Sequence, residues 1–186
     1  MNNNQHVILV DENDNVTGSM EKMDAHRKGV LHRAFSVFIF NSKNEMLIQQ
    51  RAIFKYHSGG LWSNTCCSHP NPGEETKLAA ERRLEEEMGI RTPLRKIFEF
   101  TYAASFENGL TENEFDHVFT GSYDGIVKAN PEEVNDYCFK PIKELREQII
   151  MDPESYTEWF KIAFPKIERW YTENSGFPDN DKRTGL

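Results

Sequence analysis

Three histidines and two glutamates could do chemistry together in this chain: His26, His32 and His69, then Glu112 and Glu114. Imidazole is the commonest side-chain metal ligand, and carboxylates add harder oxygen donors. In a strand, residues two apart share a face, so Glu112 and Glu114 point the same way and Asn113 points opposite. Spacing alone does not join the five. His26 and His32 match no one-face helical pair. Each histidine also reads as a surface or hydrogen-bonded imidazole, and the glutamates as a solvated strand face.

The stretch Asn64–Pro70, NTCCSHP, sets Cys67 two residues before His69 in a loop bounded by Gly and Pro. A thiol held near a cation or a metal becomes a useful base or nucleophile. Cys66 and Cys67 read equally well as small buried hydrophobes. Strand alternation turns one inward and one outward, which leaves at most one for chemistry. Farther on, Arg82 and Glu86, and Arg83 and Glu87, stand four apart on one helical stretch and share a face. This is either an exposed helix laced with ion pairs or a carboxylate face that holds a divalent cation bridged to a diphosphate. In the second case Lys22, Arg51, Lys55 and Arg83 could neutralise phosphate oxygens.

These residues need a scaffold, and the sequence outlines one. LHRAFSVFIF, from Leu31 to Phe40, is rich in aromatic and β-branched residues and predicts a buried strand. Asn41–Asn44 turns into a returning strand, Glu45 to Arg51. Residues 52–73 hold Gly59, Gly60, Gly73, Pro70 and Pro72 and predict a long shaped loop. Glu74 to Met88 predicts a helix stopped by Gly89. Ile97 to Phe106 and Glu112 to Tyr123 predict strands joined across an Asn-Gly turn, and Val134 to Phe139 another. Pro141 to Ile150 and Pro153 to Tyr171 predict helices, with Pro165 kinking or ending the second. A short apolar run, His6 to Val10, precedes a turn at residues 11–15. Strands broken by one central helix imply an α+β or mixed α/β class.

With 186 residues, one domain over 1–171 is expected, followed by a polar tail at 172–186. The 13 Phe, 6 Tyr and 3 Trp argue against a disordered chain. A net charge of −8 argues against sequence-independent nucleic-acid binding. No run approaches the ~20 apolar residues of a membrane span, and no basic, secretory-type N-terminus is visible. Three cysteines, two of them adjacent, make no disulfide framework and point to a reducing, cytoplasmic setting.

Ser68 to Ile90 resembles a degenerate Nudix box, G-x5-E-x7-R-E-U-x-E-E-x-G-U, where U is aliphatic. Glu74, Arg82, Leu84, Glu86, Glu87, Gly89 and Ile90 fit. Ser68 replaces the first Gly. Arg83 replaces a Glu that Nudix pyrophosphohydrolases use in metal binding, which stands against hydrolysis. Lys22 with His26, LHRAF at Leu31–Phe35, NTCCSHP and Glu112-Asn113-Glu114 are similar to type 1 isopentenyl-diphosphate isomerases, from His6 to about Trp170. The resemblance implies a Nudix-like fold, a mixed sheet between helices. It implies exchange of isopentenyl and dimethylallyl diphosphate, a small-molecule substrate, with no oligomeric state implied.

It further implies that His26, His32, His69, Glu112 and Glu114 ligate one Zn²⁺, Mn²⁺ or Mg²⁺. Glu87 and the carbonyl of Cys67 would help place a Mg²⁺ carried in with the diphosphate. Lys22, Arg51, Lys55 and Arg83 match diphosphate-binding positions. Cys67 and Glu114 match the acid–base pair, with Tyr102 beside Glu114. Trp159 matches an aromatic wall, with Trp62 as a substitute. Protonating an alkene makes a tertiary cation, which an indole face stabilises by about 2 kcal/mol when desolvated. A lid from residues 52–63 or the C-terminal helix is expected to keep water out. The competing expectations are a Nudix pyrophosphohydrolase and a non-catalytic metal-binding module. The first would release phosphate or a nucleoside monophosphate, and the second would not need Cys67.

Overall fold

Strand β3 (His32–Phe40) is the axis of the molecule, and all of it except Arg33 is buried. A strand covered on both faces must be apolar nearly throughout, and HRAFSVFIF largely is. The computed structural model describes residues 5–55, 57–106 and 108–174. On one edge of β3, β8 (Thr111–Ser122) runs parallel along its whole length, from His32 opposite Glu114 to Phe40 opposite Ser122. The other edge is shared by three antiparallel partners in succession. These are β1 (His6–Val10) at His32, β6 (Cys66–Ser68) at residues 35–37, and β4 (Glu45–Arg51) at Ile39 and Phe40. β2 (Val16–Glu21) extends the sheet beyond β1, β7 (Arg95–Ser105) beyond β8, and β5 (Trp62–Ser63) and β9 (Val134–Pro141) flank β4.

Alternation along β3 separates two cores. Phe35, Val37 and Ile39 pack with Ala79, Ala80, Leu84 and Met88 of helix α2 (Thr76–Met88). Phe38 and Phe40 pack with Trp159, Phe160, Ala163, Phe164 and Ile167 of helix α4 (Glu158–Glu173). The mixed sheet therefore lies between helices, as the class reading requires. Helix α1 (Lys22–Lys28) follows β2 directly, and helix α3 (Ile142–Met151) follows β9. The same alternation divides the cysteine pair. Cys66 joins the α2 core, and Cys67 lies on the α4 side.

Several expectations change. The 52–73 loop contains β5 and β6, whose hydrogen bonds come from β4 and β3 and leave no local sequence signal. β2 and α1 went unpredicted. The signals for α1 were a Glu21 side chain that accepts from Asp24 N–H at 2.9 Å and a left-handed Gly29. The single helix expected from Pro153 is a 3-10 turn (Pro153–Ser155) followed by α4, because Thr157 N–H turns aside to donate to Trp62 O at 2.9 Å. Pro165 lies inside α4 without ending it. Its cost of about 3 kcal/mol is outweighed by the face that buries Phe160, Phe164 and Ile167. α4 runs to Glu173, past the expected boundary at 171. Of the expected tail, residues 175–186 lie outside the described residues.

Two glycines separate strain from crowding. Gly73 (φ 81°) and Gly89 (φ 64°) are both left-handed, but a Cβ would meet nothing at Gly73 and would stand 2.7 Å from Lys128 O at Gly89. Gly73→Ala should cost about 1–2 kcal/mol in urea unfolding, from backbone conformation alone. Gly89→Ala should cost clearly more, and equal losses would contradict the packing described.

Candidate active site

Register explains why distant residues meet. The parallel pairing of β3 with β8 puts His32 beside Glu114. β6 leads directly to His69, and α1 delivers His26. Ligand atoms of His26, His32, His69 and Glu114 all lie within 4.8 Å of one another, and all four residues are buried. His32 Nε2 stands 3.2 Å from His69 Nε2 and 3.5 Å from Glu114 Oε1, and His69 Nε2 stands 2.9 Å from that same oxygen. Nδ1 of His32 lies 2.8 Å from Val30 O, a contact that fixes the ring with Nε2 toward the cluster. Burial lowers His26 to about 2 and His69 to about 4. The contact of His69 with Glu114 is thus a neutral imidazole donating to a carboxylate. Although burial alone would raise it, Glu114 is held well below the usual range by His69 and His32. Neutral imidazoles and a charged carboxylate are the ligand forms of these side chains, so the set fits a divalent metal.

Glu112 stands beside this cluster rather than in it. Tyr102 Oη is 2.7 Å from Glu114 Oε2 and 3.1 Å from Glu112 Oε2. A hydroxyl has one proton, so the shorter contact to the charged Glu114 takes it. Burial and the Glu114 charge push the Glu112 carboxyl well above its ordinary value. The cavity next to the cluster is small and open to solvent at its mouth. Cys67, Tyr102, Glu112, Glu114, Lys22, Arg51 and Trp159 all line it. Burial pushes the Cys67 thiol up, against the pull of Arg51, so sulfur keeps its proton. Trp159 donates its indole N–H to Ser63 Oγ at 2.8 Å, and the Arg51 guanidinium sits 5.0 Å from its ring centroid.

Four expected residues lie elsewhere. Lys55 and Arg83 are not in the cavity wall; Glu133 pairs with both. Arg83 also donates to Glu86 at 2.7 Å and to Glu87 at 2.6 Å. Glu87 is buried on the α2 side, where Gln49 donates to it at 3.0 Å. Trp62 is half-buried among the α4-side residues and does not line the cavity. Residues not foreseen include Glu133, His57 and Ser36, the last two in the cavity wall. Beneath the wall, Ser36 Oγ donates at 2.8 Å to Asp116, whose carboxyl burial and the Glu114 charge push up to about 8.

A NUDIX domain model matches residues 30–160. An isopentenyl-diphosphate Delta-isomerase of Pectobacterium atrosepticum is 54% identical over 165 residues, which cover 89% of this chain and 92% of the relative. The chain belongs to the isopentenyl-diphosphate Delta-isomerase family. Isopentenyl-diphosphate Delta-isomerase 2 of Aromatoleum aromaticum is 50% identical over 161 residues, 87% of this chain and 85% of the relative. A crystal structure from Deinococcus radiodurans shares the fold, with a TM-score of 0.74 at 21% identity, covering 90% of this chain and 99% of that one. In this isopentenyl-diphosphate Delta-isomerase family member, helix α2 departs from the Nudix pyrophosphohydrolase box in one respect. Its acids Glu86 and Glu87 face an internal cation, Arg83, instead of forming an all-carboxylate face.

Two outcomes test this geometry. His69→Ala should weaken Zn²⁺ or Mn²⁺ binding by at least roughly 10–100-fold in a chelator-competition titration, whereas Glu112→Gln should weaken it less. Undiminished binding by His69→Ala would contradict the cluster. Because the values of His26 and His69 are depressed, their neutral forms persist on acidification below the ordinary 6.5. NMR of the ring nitrogens in metal-free protein should therefore show both rings neutral at about pH 5. A midpoint near the ordinary value for either ring would contradict the burial described.

Proposed function

We propose that this cavity moves the double bond of isopentenyl diphosphate by one carbon, to give dimethylallyl diphosphate, by general acid–base catalysis. The observation that carries the reading is one small cavity with a protonated thiol, Cys67, and a charged carboxylate, Glu114, in its wall. They come from opposite sides of β3, Cys67 from β6 beside Ser36 and Glu114 from β8 beside His32. A five-carbon chain lying between them has a proton carrier on each side. The resting pair holds one transferable proton, on sulfur, and one acceptor. Donation at one carbon and removal at the other completes the shift. The reverse reaction exchanges the roles.

The other wall residues serve the same chemistry. Tyr102 fixes Glu114 by its hydroxyl. Trp159 offers an indole face against a developing tertiary cation and is locked by Ser63. Lys22 and Arg51 line the cavity and take the diphosphate; Lys55 and Arg83, outside the wall and paired with Glu133, are read as assisting them. His26, His32, His69 and Glu114 would hold a Zn²⁺, Mn²⁺ or Mg²⁺, with Glu112 alongside; a bound ion would supply positive charge beside the Glu114 carboxylate. Glu87 and the Cys67 carbonyl would help place a Mg²⁺ arriving with the diphosphate, which would supply positive charge to the phosphate oxygens. The Arg83 pairing of Glu86 and Glu87 disfavours the pyrophosphohydrolase reading of the same helix. The expected domain over 1–171 is read as one catalytic domain, with α4 carrying it on to Glu173. No helix among the described residues is long and apolar enough to cross a membrane, and Cys66, Cys67 and Cys138 are all free thiols, in keeping with a cytoplasmic enzyme.

Proton NMR of isopentenyl diphosphate with metal-loaded protein should show its terminal =CH₂ signals replaced by a single =CH signal and a second methyl signal, with no phosphate released. Cys67→Ala and Glu114→Gln should each slow conversion by roughly 10²–10⁴-fold, and the Cys67 variant should keep its metal. An active Cys67→Ala protein, or phosphate release without isomerisation, sinks the assignment.

A further inference from the structure

His57 has no part in the mechanism above, yet the fold places it inside the same cavity. It sits in the segment between β4 and β5, two residues after Lys55. Gly59 makes that segment tight. A Cβ there would fall 2.3 Å from the Ile53 carbonyl oxygen, so the chain closes on itself only with glycine at this point. The closure turns the His57 ring inward, where it is 8% exposed and lines the wall with Cys67, Glu114 and Trp159.

Four other parts of the chain meet that ring, one of them His26 of α1, with centroids 6.3 Å apart and planes at 53°. The face of the His57 ring stacks on Phe106, just past β7, with centroids 4.9 Å apart and planes at 15°. Its edge meets Trp159 of α4, at 5.7 Å and 81°. Nε2 stands 3.4 Å from Glu112 Oε1 of β8, and Nδ1 stands 3.3 Å from Ser58 Oγ. Glu112 in turn shares Tyr102 with Glu114. His57 therefore touches the outer end of the polar chain Glu112–Tyr102–Glu114 and also the aromatic wall.

We infer that His57 is a positioning residue for the isomerisation: it holds Glu112 by its Nε2 edge and the 52–61 segment by its ring. This rests on the isomerase reading above. With Glu112 fixed, Tyr102 keeps its single proton on Glu114. With Glu112 loose, Tyr102 divides its bond between the Glu114 carboxylate and the Glu112 carboxyl, and the acid–base partner of Cys67 loses its fixed aim. The diphosphate is held by other residues, so the loss falls on turnover rather than on substrate binding. The ring is not one of the four cluster residues and meets His26 only ring to ring, at 6.3 Å, so a ring kept at this position should leave metal content unchanged.

Two substitutions separate the polar role from the stacking role. His57→Phe keeps a ring against Phe106 and Trp159 and removes the nitrogens. His57→Gln loses the ring and carries an amide to the position of Nε2. Isomerisation kinetics, metal content and thermal unfolding are measured on wild type and both variants, with rates normalised to folded protein. The expected result is a kcat lowered roughly 10–100-fold in His57→Phe, with KM within about threefold, full metal content and substantial recovery of kcat in His57→Gln. His57→Phe with wild-type kcat would overturn the inference, as would loss of metal from His57→Phe, or a Gln variant no better than the Phe variant. An inactive wild-type enzyme would remove the isomerase reading and this inference together. An active wild type with indifferent variants would remove only this inference.

Discussion

Everything at the site depends on one pairing, the parallel register of β3 with β8 that sets His32 beside Glu114. A slip of one residue would turn every side chain on β8 to the opposite face. Glu112, Glu114 and Asp116 would then leave the α4 side, and Phe115 and Phe119 would leave their own cores. Apolar burial on the two faces of the sheet thus fixes where the acids stand. The polar cluster is held at the ends of strands whose other residues have no freedom to shift.

Placing so many ionisable groups in such a wall has a physical consequence. Isolated buried charge is very costly, so groups either neutralise or find partners. His26, His57 and His69 are neutral, Cys67 and Glu112 keep their protons, and Glu114 stays charged because two imidazoles and Tyr102 face it. Protonation states therefore follow from packing, and catalysis by the pair Cys67 and Glu114 uses the asymmetry that packing creates. Trp159 belongs to the same arrangement, since its indole is fixed by Ser63 and its ring faces Arg51. Outside the wall, Glu133 joins Lys55 to Arg83 and gives that flank its own charge balance.

Much of this was legible before any coordinates. The hydrophobic run of β3 and the capped helix α2 follow from local composition and cover both cores. Strand alternation foretold that Cys66 and Cys67 would part, and that Glu112 and Glu114 would share a face. What local sequence could not carry was long-range. β5 and β6 exist only through bonds to β4 and β3, so NTCCSHP looked like loop. α1 is seven residues long, too short for a clear hydrophobic period. His57 showed no pattern because its partners, Phe106, Glu112 and Trp159, are 49 or more positions away along the chain. Lys55 and Arg83 were recognisable as cations, but their capture by Glu133 depends on the turn before β9.

The central claim is that two separate groups, on either side of the hydrocarbon, each handle one proton and exchange it with solvent. Isopentenyl diphosphate converted in D₂O by metal-loaded protein tests this directly, read by mass and NMR at low conversion. The account predicts one solvent deuterium in the new methyl group of dimethylallyl diphosphate and one hydrogen lost from the carbon that becomes vinylic. Product formed without deuterium, its own hydrogen carried from one carbon to the other by a single group, would contradict it.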